Sequence, residues 1–210
     1  MKTAVIVIDI QGDFTEFKNG PLSVKGTDQA FINQVQTATR MLKSAGFPVF
    51  ATQDWHPPNH ISFYTNHQGK KAFEIITLRG KEQVLWPPHC IQETEGAKIL
   101  LDEKLFDVIV RKGTQTEFDS YSGFKDDGGN QTPLHHLLQK RNISRLIVYG
   151  IATDYCVKAT VLDAIELDYR VIVVADLSRG VSPETTNSAL NEMQKRGAIV
   201  VNKSKLKDIF

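Results

Sequence analysis

Six short apolar runs limit what this chain can fold into more than any other feature. They are Ala4 to Asp9 (AVIVID), Pro48 to Gln53 (PVFATQ), Val108 to Arg111, Leu146 to Tyr149, Tyr169 to Ala175 (YRVIVVA) and Ala198 to Val201. Runs this short and this continuous, without polar alternation, fit strands buried on both faces. Helical patterns lie between them. After Asp28, a good N-cap, Phe31, Ile32, Val35, Ala38, Met41, Leu42 and Ala45 share one face, and Gly46 ends the helix. Pro133 opens a helix to about Arg141, a pattern from Asp154 runs through Val157, Val161, Leu162, Ala164 and Ile165, and Ser182-Pro183 opens a helix to Arg196. Shorter helices are expected around Ala97 to Leu101 and from Ser204. Strands alternating with helices give an α/β fold, a parallel sheet with helices on both faces. The chain has 210 residues, no repeat and no linker, so one domain over 1–210 is expected.

Composition removes several functions. The net charge is +1 with acids and bases interspersed, which leaves no footprint for nucleic acid and no membrane-surface patch. No apolar run approaches the length of a membrane span. Met1-Lys2-Thr3 leads straight into the first strand, so a cytoplasmic, reducing location and free thiols at Cys90 and Cys156 are the expectation.

In open parallel sheets, sites form beyond the carboxyl ends of the strands. Asp9 ends the first strand, Asp54 and His56 follow the second, Lys112 ends the third and Cys156 follows the fourth. Four strands thus bring reactive groups to one rim. Cys156 lies in the first turn of a helix after Gly150, where free N–H groups favour a thiolate and can hold an oxyanion. Lys112 is a cation for that thiolate, and the Asp9 carboxyl can shuttle a proton to a departing amine. The turn after the first strand reads DIQGDF, which is neither a dinucleotide fingerprint nor a phosphate-binding loop.

The stretch Asp54 to Glu93 is long and irregular and holds four of the six histidines, and loops of this length tend to be functional. Asp54 and His56 can share a metal ion, with His60 or His89 as a third ligand; the donor set suits zinc, manganese or iron. Cys90 reads as a small buried hydrophobe, and His67, His135 and His136 as surface residues. Phe14, Trp86, Phe118, Tyr121 and Tyr155 flank these groups and could line a pocket for a flat small molecule.

The segments DIQGDF, TQDWHPPNH, WPPHC, RKG, DSYSGF and GIATDYCVKATVLDA, in this order over nearly the whole chain, resemble the motif series of the nicotinamidases, within the isochorismatase-like cysteine hydrolases. The resemblance implies a three-layer α/β/α, Rossmann-like fold with a six-stranded parallel sheet. It implies hydrolysis of nicotinamide to nicotinate and ammonia through a thioester, a place in NAD salvage and acceptance of pyrazinamide. The implied roles are Cys156 as nucleophile, Asp9 as proton shuttle and Lys112 as activating cation. Asp54, His56 and His89 match the ligands of a divalent metal, zinc first and manganese or iron otherwise, which binds the pyridine nitrogen. His60 matches a ligand of some members at another spacing, and its role stays open. Phe14, Trp86 and Tyr121 would sandwich the ring beside Tyr155, and Ala152, at the family's cis Ile151–Ala152 peptide, would offer an oxyanion N–H with Cys156. The expected partner is a small molecule, with homo-oligomer formation left open. Two further readings stand beside this one: another hydrolase of the superfamily, acting on a vinyl ether or carbamoyl group, and a non-catalytic metal-binding protein. The Asp54, His56 and His89 set argues against the first, because isochorismatases lack that metal site.

Overall fold

A computed structural model describes residues 1–209; the last residue of the expected domain lies outside them. The strands are β1 (Thr3–Ile8), β2 (Val49–Asp54), β3 (Ile75–Leu78), β4 (Lys81–Val84), β5 (Val108–Lys112), β6 (Arg145–Gly150), β7 (Arg170–Val174) and β8 (Ile199–Val201). The α-helices are α1 (Gln29–Ser44), α2 (Leu134–Lys140), α3 (Lys158–Glu166) and α4 (Pro183–Lys195). Six strands form one sheet in the order β5-β2-β1-β6-β7-β8, and every pairing in it is parallel.

Alternate residues of β1 go to opposite layers. Val5 and Val7 pack with Phe31, Ile32, Val35 and Leu42 of α1, whereas Ala4, Ile6 and Ile8 pack with Leu134 and Leu138 of α2, Val161 and Ala164 of α3, and Ala189 and Met193 of α4. Burial on both faces is why the strands carry no polar alternation. The caps follow the sequence reading: Asp28 accepts the Phe31 N–H at 2.9 Å, and Ser182 and Thr185 form a capping box on α4 with Pro183 in its first turn.

From β1 the chain builds outward through β2 and β5, then returns to β6 on the other side and continues through β7 and β8. The crevice between the ends of β1 and β6 is therefore the switch point of the sheet, where no crossover covers the strand ends. Gly150 closes β6 there with φ +142°, and a Cβ on it would lie 2.1 Å from the Ile8 carbonyl oxygen. Only glycine lets the two strands run this close.

Three local expectations change. Ala97 to Leu101 forms no helix: the Ala97 carbonyl accepts from Gln11 Nε2 and Gln53 Nε2, and Ile99 bridges Gln11, so tertiary partners take the groups a helix would use. A single 3₁₀ turn, Glu103–Leu105, follows, and the segment from Ser204 is likewise 3₁₀, over Lys203–Ile209. The long irregular stretch contains the antiparallel hairpin β3–β4, turned by Arg79 and Gly80 with φ +52° and +78°.

Candidate active site

The four strand-end positions converge. Lys112 Nζ donates to Asp54 Oδ1 and to the Ser120 carbonyl at 2.9 Å, lies 3.0 Å from Asp9 Oδ2 and 3.6 Å from Cys156 Sγ. Asp9, Asp54 and Cys156 each have a side-chain donor atom within 4.8 Å of the others, so the ammonium is ringed by two carboxylates and a sulfur. All four residues are buried.

Their surroundings hold them there. Asp9 leaves β1 at φ 45°, a turn that Asp tolerates better than most residues, and this aims its carboxylate back at the sheet. Thr52, on β2, donates to Asp9 Oδ1 at 2.5 Å and accepts the Asp9 N–H at 3.2 Å. Gln11 clamps Asp54 by its backbone, accepting its N–H and donating to its carbonyl, both at 2.8 Å. Cys156 sits in a π-helical turn, Thr153–Val157, that leads into α3. Asp154 ties that turn to α4, accepting from Val181 N–H at 3.1 Å and from the Thr185 hydroxyl. The Ile151–Ala152 peptide before the turn is cis, as the family resemblance implies.

The thiol differs from the expectation in one respect. Helix position alone would lower its pKa, but burial pushes it well above the ordinary thiol value, with Asp9 and Asp54 adding to burial and Lys112 opposing it. The resting group is the thiol. Burial also raises the Asp9 carboxyl, against the pull of Lys112 and with help from Asp54. Burial works against the charge on Lys112 too, yet Asp54, Asp9 and Cys156 outweigh it and hold the ammonium firmly protonated.

Beside this cluster, Asp54, His56 and His89 present one donor atom each within 4.8 Å of one another. His56 Nδ1 lies 2.9 Å from the Gly113 carbonyl, and His89 Nδ1 lies 2.8 Å from the Pro87 carbonyl. Each carbonyl engages Nδ1 and leaves Nε2 for the shared site, which is how metal-ligating imidazoles are oriented. Burial works against charge on His56, but Asp54, 3.7 Å from its Nε2, outweighs burial and raises its pKa. Gly113 has φ +64°, and a Cβ there would lie 2.3 Å from the His56 ring, so this ring position requires glycine. Two buried imidazoles and a carboxylate with free donor atoms fit a divalent ion. Burial, aided by His56, lowers His89 to about 4, so its nitrogen is unprotonated near neutral pH. His60 does not join this set. Its Nδ1 pairs with the Ser62 hydroxyl at 2.8 Å and its Nε2 with the Phe118 carbonyl at 3.1 Å, which leaves no lone pair for a metal.

A cavity of about 300 Å³ opens onto both clusters. Phe14, Trp86, Tyr121, Ala152 and Tyr155 all line it, together with Cys156, Asp54 and His89. Trp86 meets Tyr155 edge-on at 5.5 Å, and its Nε1–H reaches Asp119 Oδ2 at 3.2 Å and the Tyr121 hydroxyl at 3.1 Å. Phe118 is the exception among the five aromatics: Arg79 lies over its ring at 4.8 Å, and it does not line this cavity. Cys90 is a buried free thiol, as read. His67 is half-buried rather than a plain surface residue, its Nε2 2.6 Å from the Ile61 carbonyl, and His135 is half-buried against the Tyr169 hydroxyl at 3.0 Å, while His136 is exposed.

The sequence reading missed Thr52, Gln11, Asp119, Ser120, Phe73 and Val181. Thr52 carried a usable signal, a polar residue inside a strand otherwise read as buried. Phe73 and Val181 carried none, because neither belongs to a periodic segment.

Comparison with known proteins agrees with this geometry. Residues 3–204 match the isochorismatase domain family. The chain is 42% identical over 203 residues to a nicotinamidase of Escherichia coli (strain K12), covering 93% of this chain and 92% of the relative. Among solved structures, an Acinetobacter baumanii nicotinamidase/pyrazinamidase superposes with a TM-score of 0.87 at 37% identity, covering 98% of each chain. A pyrazinamidase of Pyrococcus horikoshii in complex with zinc superposes with a TM-score of 0.81 at 36% identity, covering 96% of this chain and 99% of that one. The fold, the matched domain and the identity to these relatives agree, and the chain belongs to the nicotinamidase family of isochorismatase-domain proteins.

Proposed function

We propose that this chain is a nicotinamide amidohydrolase that releases nicotinate and ammonia, with Cys156 as nucleophile. One observation carries the reading: the Cys156 sulfur lines a cavity with aromatic walls, and the Lys112 ammonium and Asp9 carboxylate meet it from behind, where both are buried. The cavity suits a flat heteroaromatic ring, and the floor suits acyl transfer.

Asp9 takes the proton from the Cys156 thiol, and Lys112 stabilises the thiolate at 3.6 Å. The sulfur attacks the carboxamide carbon, and the N–H groups of Ala152 and Cys156 hold the oxyanion. The C–N bond breaks as Asp9 gives its proton to the amine, which leaves as ammonia. Asp9 then deprotonates a water, whose oxygen attacks the thioester carbon. Nicotinate leaves, and the proton returns to sulfur. One residue serves as acid and base in turn, which suits a buried carboxyl with a raised pKa. Phe14, Trp86, Tyr121 and Tyr155 hold the ring. Asp54, His56 and His89 would hold a divalent ion, zinc by preference, that supplies Lewis acidity toward the ring nitrogen and draws electron density from the carbonyl.

Pyridine and pyrazine rings are both flat heteroaromatics that suit an aromatic-lined cavity, so the reading includes pyrazinamide as a second substrate. No helix of the described residues is long and apolar enough to cross a membrane. We place the enzyme in cytoplasmic NAD salvage. Ammonia release from nicotinamide, measured with and without chelator and after adding back zinc, manganese or iron, tests the reading. Turnover should vanish with chelator and return with the correct ion. Cys156→Ala should lose turnover and keep nicotinamide binding; hydrolysis retained in that variant would end the covalent route.

A further inference from the structure

Among the described residues, five buried side-chain polar atoms have no hydrogen-bond partner, and only the Ser120 hydroxyl belongs to a residue lining the active-site cavity. Ser120 is 2% exposed. Its other polar groups are committed: its N–H donates to Asp119 Oδ1 at 2.9 Å, and its carbonyl accepts from Lys112 Nζ at 2.9 Å. The backbone is thus fixed to the same ammonium that contacts Cys156 Sγ at 3.6 Å, while the hydroxyl is left over. A buried hydroxyl without a partner is costly, and a ligand that completes it recovers that cost.

A carboxamide has one acceptor and two donors to satisfy. In the proposed reaction the Ala152 and Cys156 N–H groups take its oxygen, so the amino group needs an acceptor nearby. Asp119 is the rival, but its Oδ2 already accepts from Gln83 at 2.9 Å and Trp86 at 3.2 Å, and its Oδ1 holds the Ser120 N–H. A serine hydroxyl has two lone pairs to offer. We infer that the Ser120 hydroxyl is a substrate-binding group that accepts a hydrogen bond from the carboxamide amino group, selecting amides over other carbonyl compounds on the same ring. The inference rests on the amidohydrolase reading of the cavity.

The test compares nicotinamide with pyridine-3-carbaldehyde, which has the ring and the carbonyl but no amino group. Ser120→Ala should lower kcat/KM for nicotinamide about tenfold and leave inhibition by the aldehyde within about twofold, because only the amide loses a partner. Ser120→Thr, which keeps the hydroxyl, should recover most of the loss. Unchanged amide turnover in Ser120→Ala overturns the assignment, and so does an equal loss for amide and aldehyde, which marks a structural role. If the alanine variant does not fold, Ser120→Cys gives the same readout, since sulfur is a weak acceptor. An unmutated chain that releases no ammonia from nicotinamide is a different result: it overturns the amidohydrolase reading, and this inference with it.

Discussion

Asp9, Asp54 and Lys112 sit at the ends of parallel strands, with Cys156 just beyond a fourth, and all are sealed from solvent; Phe73 and Val181, on the rim of the same cavity, come from loops and stay exposed. The floor residues are tied through the sheet ladder. Asp54 pairs with Lys112 in register, and Ile8, next to Asp9, pairs with Gly150. The rim has no such frame. Phe73 meets Trp86 edge-on at 6.2 Å, and Trp86 is held in turn by Asp119 and Tyr121, which lie more than thirty residues further along the chain. On the proposed reading, reaction chemistry is built where the backbone is least able to move, and ring recognition where side chains can be exchanged at small cost. Changes to the floor should damage stability and kcat together, whereas changes to the rim should act on KM.

The largest expected effect is on the floor. Lys112→Met removes the ammonium that lies between two buried carboxylates. Breaking a buried ion pair from one side costs about 3–5 kcal/mol. The thiolate also loses its counter-charge, so kcat should fall by about two orders of magnitude or more. Thermal unfolding and steady-state kinetics on the same preparation check both. A variant that lost turnover but kept its melting temperature would show that the floor is catalytic without being structural, and the contrast with the rim would fail.

Much of the floor could be read from the chain, because strand ends in a parallel sheet are found by the apolar runs that precede them. Asp9 ends such a run, Asp54 and Lys112 follow one directly, and Cys156 opens the helical pattern beyond the fourth. The rim was legible only in part. Trp86, Tyr121 and Tyr155 belong to matched motifs, but Phe73 precedes a hairpin whose second strand, KEQV, is polar and half exposed. With no buried face, β3–β4 left no periodic trace, although Gly80 marked its turn. The thiol acidity was misjudged for a related reason. Helix position is a local property, whereas burial beside Asp9 and Asp54 arises only when separate strands meet.

The rim prediction is smaller. Trp86→Phe keeps an aromatic wall but removes the N–H that reaches Asp119 and Tyr121. One neutral-to-charged hydrogen bond is worth about 1.5 kcal/mol, or roughly tenfold in binding. KM for nicotinamide should rise by about that factor, with kcat within about twofold and the melting temperature unchanged. A fall in kcat matching the rise in KM would instead tie Trp86 to the floor.

The smallest effect belongs to a pair remote from both regions, which serves as the reference for them. Asp107, before β5, lies 2.7 Å from Lys43 of α1 and accepts the Val49 N–H at 2.7 Å. Burial pushes its carboxyl up, but Lys43 and the Val49 N–H outweigh that and hold it below its ordinary value of 3.8. A carboxyl depressed in the folded state adds stability above its unfolded pKa and loses it as pH falls through the folded one. Both side chains are about one-third exposed, so screening limits the contribution to about 1 kcal/mol or less. Asp107→Asn keeps an oxygen for Val49 and removes only the charge. It should lower stability slightly near neutral pH, the difference from the unmutated chain should close as pH falls below about 3.8, and turnover should not change. A loss of turnover here would mean that the edge of the sheet communicates with Lys112 along β5, and the floor would then extend further than its buried cluster.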